Sequence, residues 1–182
     1  MAYETRLASL MSYQKGRVDV IDDDPKNYAF SNIFEVASLA KPFEQVAVAK
    51  NFEYVLEAVR AEGTSGWRAA AHDQSALVLD GQVEFTFKTL AEGHPLPDSG
   101  SSGVPEEAAG TLMGRVVARR GHLTLLPAGR AYRLTAPAPA VVLIQTVEGP
   151  DTQFRWAEIC QTAWRSRTRR INDDCHGRCP AR

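Results

Sequence analysis

The sequence predicts an all-β fold, a single β-barrel at 30–155 carrying an N-terminal arm at 1–29 and a short C-terminal helix or polar tail at 156–182. Three observations lead there. Short apolar segments bounded by turn residues recur between Gln45 and Thr146, little sequence is left between them for helices, and a glycine- and proline-punctuated stretch at Gly121 to Tyr132 turns the chain back on itself. With 182 residues, 44% of them hydrophobic, the chain can bury one sizeable core. A formal charge of -1 excludes a nucleic acid or an anionic membrane surface as its main partner, because both select a strong positive excess. The N-terminus lacks a basic segment leading into an apolar run, and no apolar stretch is long enough to span a bilayer, so a cytoplasmic protein is expected. Cys160, Cys175 and Cys179 form an odd set that suits a reducing compartment better than a disulfide framework.

In the arm, a weak helix is expected over Thr5 to Gln14, followed by the acidic run Asp22 to Asp24 and Pro25. Gln45 to Ala49 reads as a strand. Phe52 to Arg60 fits a strand or, through Phe52, Val55, Leu56 and Val59, a helical face; its neighbours favour the strand. Ala76 to Leu79, Asp80-Gly81 and Gln82 to Phe87 read as a two-residue β-hairpin, since Asp-Gly favours the positive φ of such a turn. Glu92 to Gly110 is crowded with Gly, Pro and Ser and reads as a long loop inserted between two halves of the sheet. Strands are expected again at Thr111 to Ala118, His122 to Leu126, Ala131 to Thr135 and Ala140 to Thr146, and a helix over Trp156 to Thr168.

The stretch Gly121, five residues, Pro127-Ala128-Gly129, two residues and then Tyr132 presets a turn with its proline and closes it with its glycine. This layout resembles the second signature motif of the cupin superfamily, in whose metal-binding members the position of Tyr132 is a histidine ligand. Their first motif runs Gly, about five residues, His-x-His, a short gap, Glu, six residues and Gly. Counted back from Gly81, the carboxylate position falls on Gln74 and the two histidine positions on Arg68 and Ala70, or on Trp67 and Ala69. All four expected ligands are replaced. The resemblance therefore implies a barrel with no metal, no cofactor and no catalytic residue of its own.

A transition-metal site needs about three converging imidazole, carboxylate or thiolate ligands. His72 beside Asp73 invites a shifted site that recruits Glu84 or His122, against the plainer reading of a hydrogen-bonded interior or turn histidine. Arg68, His72, Gln74 and Tyr132 could together line a polar pocket for an organic ligand, or simply pack with their hydrogen bonds satisfied. Cys175 to Cys179 and the arginines at 165, 167, 169 and 170 read as a polar tail carrying free thiols.

Phe30 to Ala37, Val48 to Asn51, Ala61 to Ser65, His72-Asp73-Gln74 and Trp156 to Gln161 resemble the small subunit of the two-component hydroquinone 1,2-dioxygenases of 4-nitrophenol breakdown. That resemblance implies a heterotetramer with a large, iron-binding cupin subunit that holds Fe(II) and cleaves the ring. This chain would stabilise the large subunit and shape access to its iron. A stand-alone, metal-free cupin that binds or isomerises a small organic molecule is the alternative.

Overall fold

The structure is a computed structural model, and it describes residues 8–14, 18–20, 32–154 and 164–166. In chain order the elements are β1 (Val18–Val20), α1 (Ile33–Leu39), β2 (Val46–Asn51), β3 (Tyr54–Thr64), β4 (Trp67–Ala70) and β5 (Gln74–Asp80). They continue with β6 (Gln82–Leu90), β7 (Ser101–Val104), β8 (Ala109–Arg119), β9 (Leu123–Leu126), β10 (Ala131–Val147) and β11 (Trp164–Ser166). β2 to β10 form one curled sheet of nine strands, and β1 pairs in parallel with β11. This is the cupin-type barrel that the turn motif implied.

One strand organises the barrel. The first part of β10 pairs with β6 through Tyr132↔Phe87 and Leu134↔Phe85, and meets β4 at Tyr132↔Arg68. Its second part lies between β3 and β5, with Val142 opposite both Val59 and Val78. Between the two parts the register with β3 slips, from Ala136 to Ala140, and Pro137 and Pro139 fall in that slip. Proline lacks the N–H that a ladder requires, so the strand bends there and carries the sheet round into a barrel. The two strands expected at Ala131 and Ala140 are thus one interrupted strand.

Residues at alternate positions of these strands point inward. Val59, Ala76, Val78, Val83, Phe85, Leu126, Leu134, Val142 and Ile144 are buried together in the barrel core. Outside the barrel, the Asn32 side chain caps α1 by accepting from the amides of Phe34 and Glu35. Val36 and Ala40 of that helix bury against Val46, Val48 and Ala58. The ambiguous segment after Phe52 is a strand because it has a neighbour on each side, β2 and β10. Phe52 stands at the tip of the β2–β3 turn with φ 56° and its ring in solvent.

Several expectations need correcting. Asp80-Gly81 is not a hairpin: β5 and β6 do not pair with each other but lie one after the other along β10. Gly81 does take a positive φ, 76°, yet it serves a corner, and a Cβ there would stand 2.7 Å from the Cβ of Ala140. Turn chemistry specifies φ, whereas long β10 decides which edges are paired. Within the expected loop at Glu92 to Gly110, Ser101–Val104 is a strand paired with β4, Glu106–Ala108 is a 3-10 turn and β8 begins at Ala109. Small residues disguised that strand, because backbone pairing needs no large side chains. The described part of the expected N-terminal helix, residues 8–14, is a turn closed by Ser9 and Ser12. Trp164–Ser166, inside the expected C-terminal helix, is a strand; the rest of that segment, the three cysteines and the expected tail lie outside the described residues. Among the described residues no helix is long and apolar enough to cross a membrane.

Candidate functional site

The turn Pro127-Ala128-Gly129 is fastened to the segment that follows β4. The Gly129 amide donates to the carbonyl of Ala70 at 2.9 Å, and the Ala128 amide to Asp73 Oδ1 at 2.8 Å. Gly129 closes the turn with φ 66°. These ties set the start of β10 beside β4, so that Arg68 and Tyr132, matched above only by counting, are register partners.

Around this pair a few polar groups bond to one another beside the apolar Phe43, Val59, Leu134 and Ile144. Tyr132 is 1% exposed, and burial pushes its phenol pKa up despite the neighbouring Arg68 guanidinium and Ser101 hydroxyl. Neither neighbour meets hydrogen-bond geometry with the Tyr132 oxygen, which has no partner in the structure. Arg68 instead donates from Nε to Ser101 Oγ at 3.2 Å and from Nη2 to Asp151 Oδ2 at 2.7 Å. Gln45 Nε2 also reaches Ser101 Oγ, at 3.3 Å. Glu57 is buried, accepts from the Thr152 hydroxyl at 2.6 Å and has its pKa raised, mainly by burial. The cavity left among Phe43, Gln45, Val59, Arg68, Tyr132 and Ile144 is about 20 Å³, room for one water molecule.

His72 and Gln74 sit elsewhere. Gln74 is buried and donates from Nε2 to Thr146 Oγ1 at 2.6 Å, while its Oε1 has no partner. His72 Nε2 lies 2.9 Å from the same hydroxyl and accepts the Val147 amide at 3.2 Å. Burial lowers the His72 pKa below 6.5, against a smaller opposing pull from Asp73. Both residues line a groove of about 250 Å³ together with Tyr54, Asp73, Leu125 and Gln145. The four candidate residues are therefore two pairs, each with its own surroundings: Arg68 with Tyr132 at the interior cavity, and His72 with Gln74 at the groove.

The interior donor set does not fit a metal ion. Arg68 offers a cation with no lone pair to give, Ala69 and Ala70 offer nothing, and the buried Tyr132 phenol holds its proton. Glu84 and His122 are engaged away from His72, the first with Thr86 and Arg115, the second with the Arg119 carbonyl. Among the described residues no three of the His, Cys, Asp and Glu side chains are grouped to hold an ion. What the arrangement does chemically is cross-link: charged and polar groups of β4 and β7 join each other and the segment after β10, which is tied in turn to β3.

Sequence reasoning passed over Glu57, Ser101, Thr146 and Asp151. Glu57 and Thr146 left a signal, since each shares strand parity with inward residues, Val55 and Val59 for the first and Val142 and Ile144 for the second.

The fold and this site define a cupin-type barrel with Arg68, Gln74 and Tyr132 at the positions matched to the metal-ligand motifs. No family model and no curated protein matches the chain, whereas solved structures do. A hydroquinone 1,2-dioxygenase PnpCD structure, in complex with Cd2+ and 4-hydroxybenzonitrile, contains a chain 47% identical, with TM-score 0.80, covering 87% of this chain and 97% of that one. A chain of the hydroquinone 1,2-dioxygenase from Sphingomonas sp. TTNP3, with 4-hydroxybenzoate bound, is 51% identical, with TM-score 0.79 and coverage of 88% and 99%. A PnpCD structure in complex with Fe3+ also contains a longer chain that shares the fold alone, at 8% identity and TM-score 0.52; the match covers 66% of this chain and 32% of that one. The chain belongs to the hydroquinone 1,2-dioxygenase family.

Proposed function

We propose that this chain is the small, non-metal-binding subunit of an Fe(II)-dependent, ring-cleaving hydroquinone 1,2-dioxygenase that acts in the cytoplasm in the breakdown of 4-nitrophenol-type aromatics. The observation that carries the reading is the replaced ligand set: Arg68, Gln74 and Tyr132 stand at the motif-matched ligand positions of a chain that matches dioxygenase chains over nearly their whole length. In this reading the iron belongs to a large cupin subunit, the two assemble as a heterotetramer, and no residue of this chain touches the reacting atoms. The iron would supply oxygen activation there. The longer chain of the same fold in the PnpCD structure supports a partner built on a second cupin barrel.

The surface supports a binding role. Among the described residues β8 pairs only with β6, and β9 only with β5, which leaves each with an edge that no described strand covers. Leu112, Met113, Val116 and Val117 on β8, and Leu123 and Leu125 on β9, are exposed. An open edge rich in aliphatic side chains invites association unless a partner covers it. The test is co-expression with a large iron-binding subunit from the same kind of enzyme. The expected result is one complex that retains iron, with oxygen consumed on addition of hydroquinone. Recovery of two separate proteins, or stoichiometric iron in this chain alone, overturns the proposal.

A further inference from the structure

The segment Val147–Phe154 leaves β10 and doubles back across β2, β3 and β4. Its far part is tied down heavily: the Gln153 amide donates to the Gln45 carbonyl at 2.8 Å, the Ala47 amide to the Gln153 carbonyl at 2.9 Å, Thr152 to Glu57 and Arg68 to Asp151. Lys50 pairs with Glu148, and Ser99 bonds the Glu148 carbonyl. At the root of the segment, the Val147 amide ends on an imidazole nitrogen, His72 Nε2.

We propose that His72 is a pH-operated latch on this strap, holding the Val147 amide through an unprotonated Nε2 and releasing it when that nitrogen takes up a proton. The partners fix the tautomer. A backbone N–H only donates, so Nε2 accepts from Val147, and the imidazole proton sits on Nδ1. Thr146 Oγ1 receives the Gln74 amide proton, and its own hydroxyl proton can reach Nε2 only by sharing the lone pair that Val147 uses. Protonation at Nε2 sets N–H against N–H at Val147, and the bond is lost. A second arrangement stands ready, since the Thr146 hydroxyl also lies 3.3 Å from the Val147 carbonyl oxygen. It can turn there and accept from the new imidazolium.

The surroundings hold the neutral form at neutral pH. Among the described residues Asp73 on the same loop is the one charged side chain lining the groove; β3 contributes Tyr54, β10 contributes Gln145 and Thr146, and β9 contributes Leu125. One Asp73 oxygen is already occupied by the Ala128 amide. Burial outweighs the Asp73 charge, so the latch opens on acidification below the ordinary histidine range. The inference stands on this chain alone and is independent of the proposed enzyme.

The test is hydrogen exchange by mass spectrometry on the full-length chain between pH 7.5 and pH 5, corrected for intrinsic exchange. The probe peptide covers Val147 to Gln153, and β6 peptides report that the barrel stays folded. Expected is an approximately tenfold loss of protection at Val147 as the pH falls, with β6 unchanged; such a factor corresponds to about 1.4 kcal/mol. His72→Gln keeps an acceptor without the titration and should hold protection flat across the range. A flat profile in the native chain, or the same pH-dependent loss in His72→Gln, overturns the latch.

Discussion

The interior cluster around Arg68 and the groove around His72 both bury polar groups in one barrel, and they satisfy them differently. At the first, a cation is shared among Ser101, Asp151 and the field of buried Glu57, so the joint rests on charge. At the second, a neutral imidazole, a hydroxyl and an amide relay hydrogen bonds with no charge required. Charge-assisted bonds are roughly twice as strong as neutral ones, but removing one partner strands the others. Neutral relays are weaker and can be reset by a single proton. One barrel thus carries a rigid joint and an adjustable one.

That contrast can be broken by mutation. Arg68→Met should have the largest effect, a loss of ~2–3 kcal/mol in urea unfolding, because Ser101 and Asp151 lose their donor and Glu57 loses its cation. A loss no larger than that of a surface variant would remove the charged joint from the argument. His72→Ala should cost about 1 kcal/mol at pH 7.5, read from the same melts, since one neutral acceptor disappears. An effect matching Arg68→Met would erase the distinction between the two regions.

The two regions should also answer pH with opposite signs. Glu57 has its folded pKa raised above 4.5, so its contribution is fully present below that value and is lost as pH rises through the folded pKa. His72 has its folded pKa lowered, so its contribution is present above 6.5 and is lost as pH falls through 6.5 toward the folded value. Stability curves of Glu57→Gln and His72→Gln against pH should therefore flatten opposite limbs of the native profile, Glu57→Gln gaining about 1 kcal/mol near neutrality. Both variants flattening the same limb would contradict this assignment. The smallest expected effect is that of Tyr132→Phe, a gain of no more than about 1 kcal/mol, because it deletes a buried hydroxyl that has no partner. A clear loss instead would mean that the small interior cavity holds a water bonded to that hydroxyl.

Much of this was legible before the fold was known. Pro127 and Gly129 gave the strand reversal, because turn residues act locally, and counting from Gly81 offered Arg68 or Trp67 for one motif position, of which the structure sets Arg68 opposite Tyr132. What could not be read was pairing at long range. Asp80-Gly81 has the chemistry of a hairpin, and only the competing edges of β10 make it a corner. Ser101–Val104 has the composition of a loop, and only the open edge of β4 makes it a strand. Thr146 became a hydrogen-bonding hub because β10 sets it beside two residues more than seventy positions earlier in the chain.

The central place of β10 has a consequence for biosynthesis. β3, β4, β5 and β6 all wait for a neighbour that emerges after them, so a nascent chain that stops short of Ala131 displays several unpaired ladders at once. Closure of the barrel therefore waits for β10, the last of its nine strands in chain order. Until that moment the growing polypeptide exposes unpaired strand edges, the kind of surface that favours aggregation.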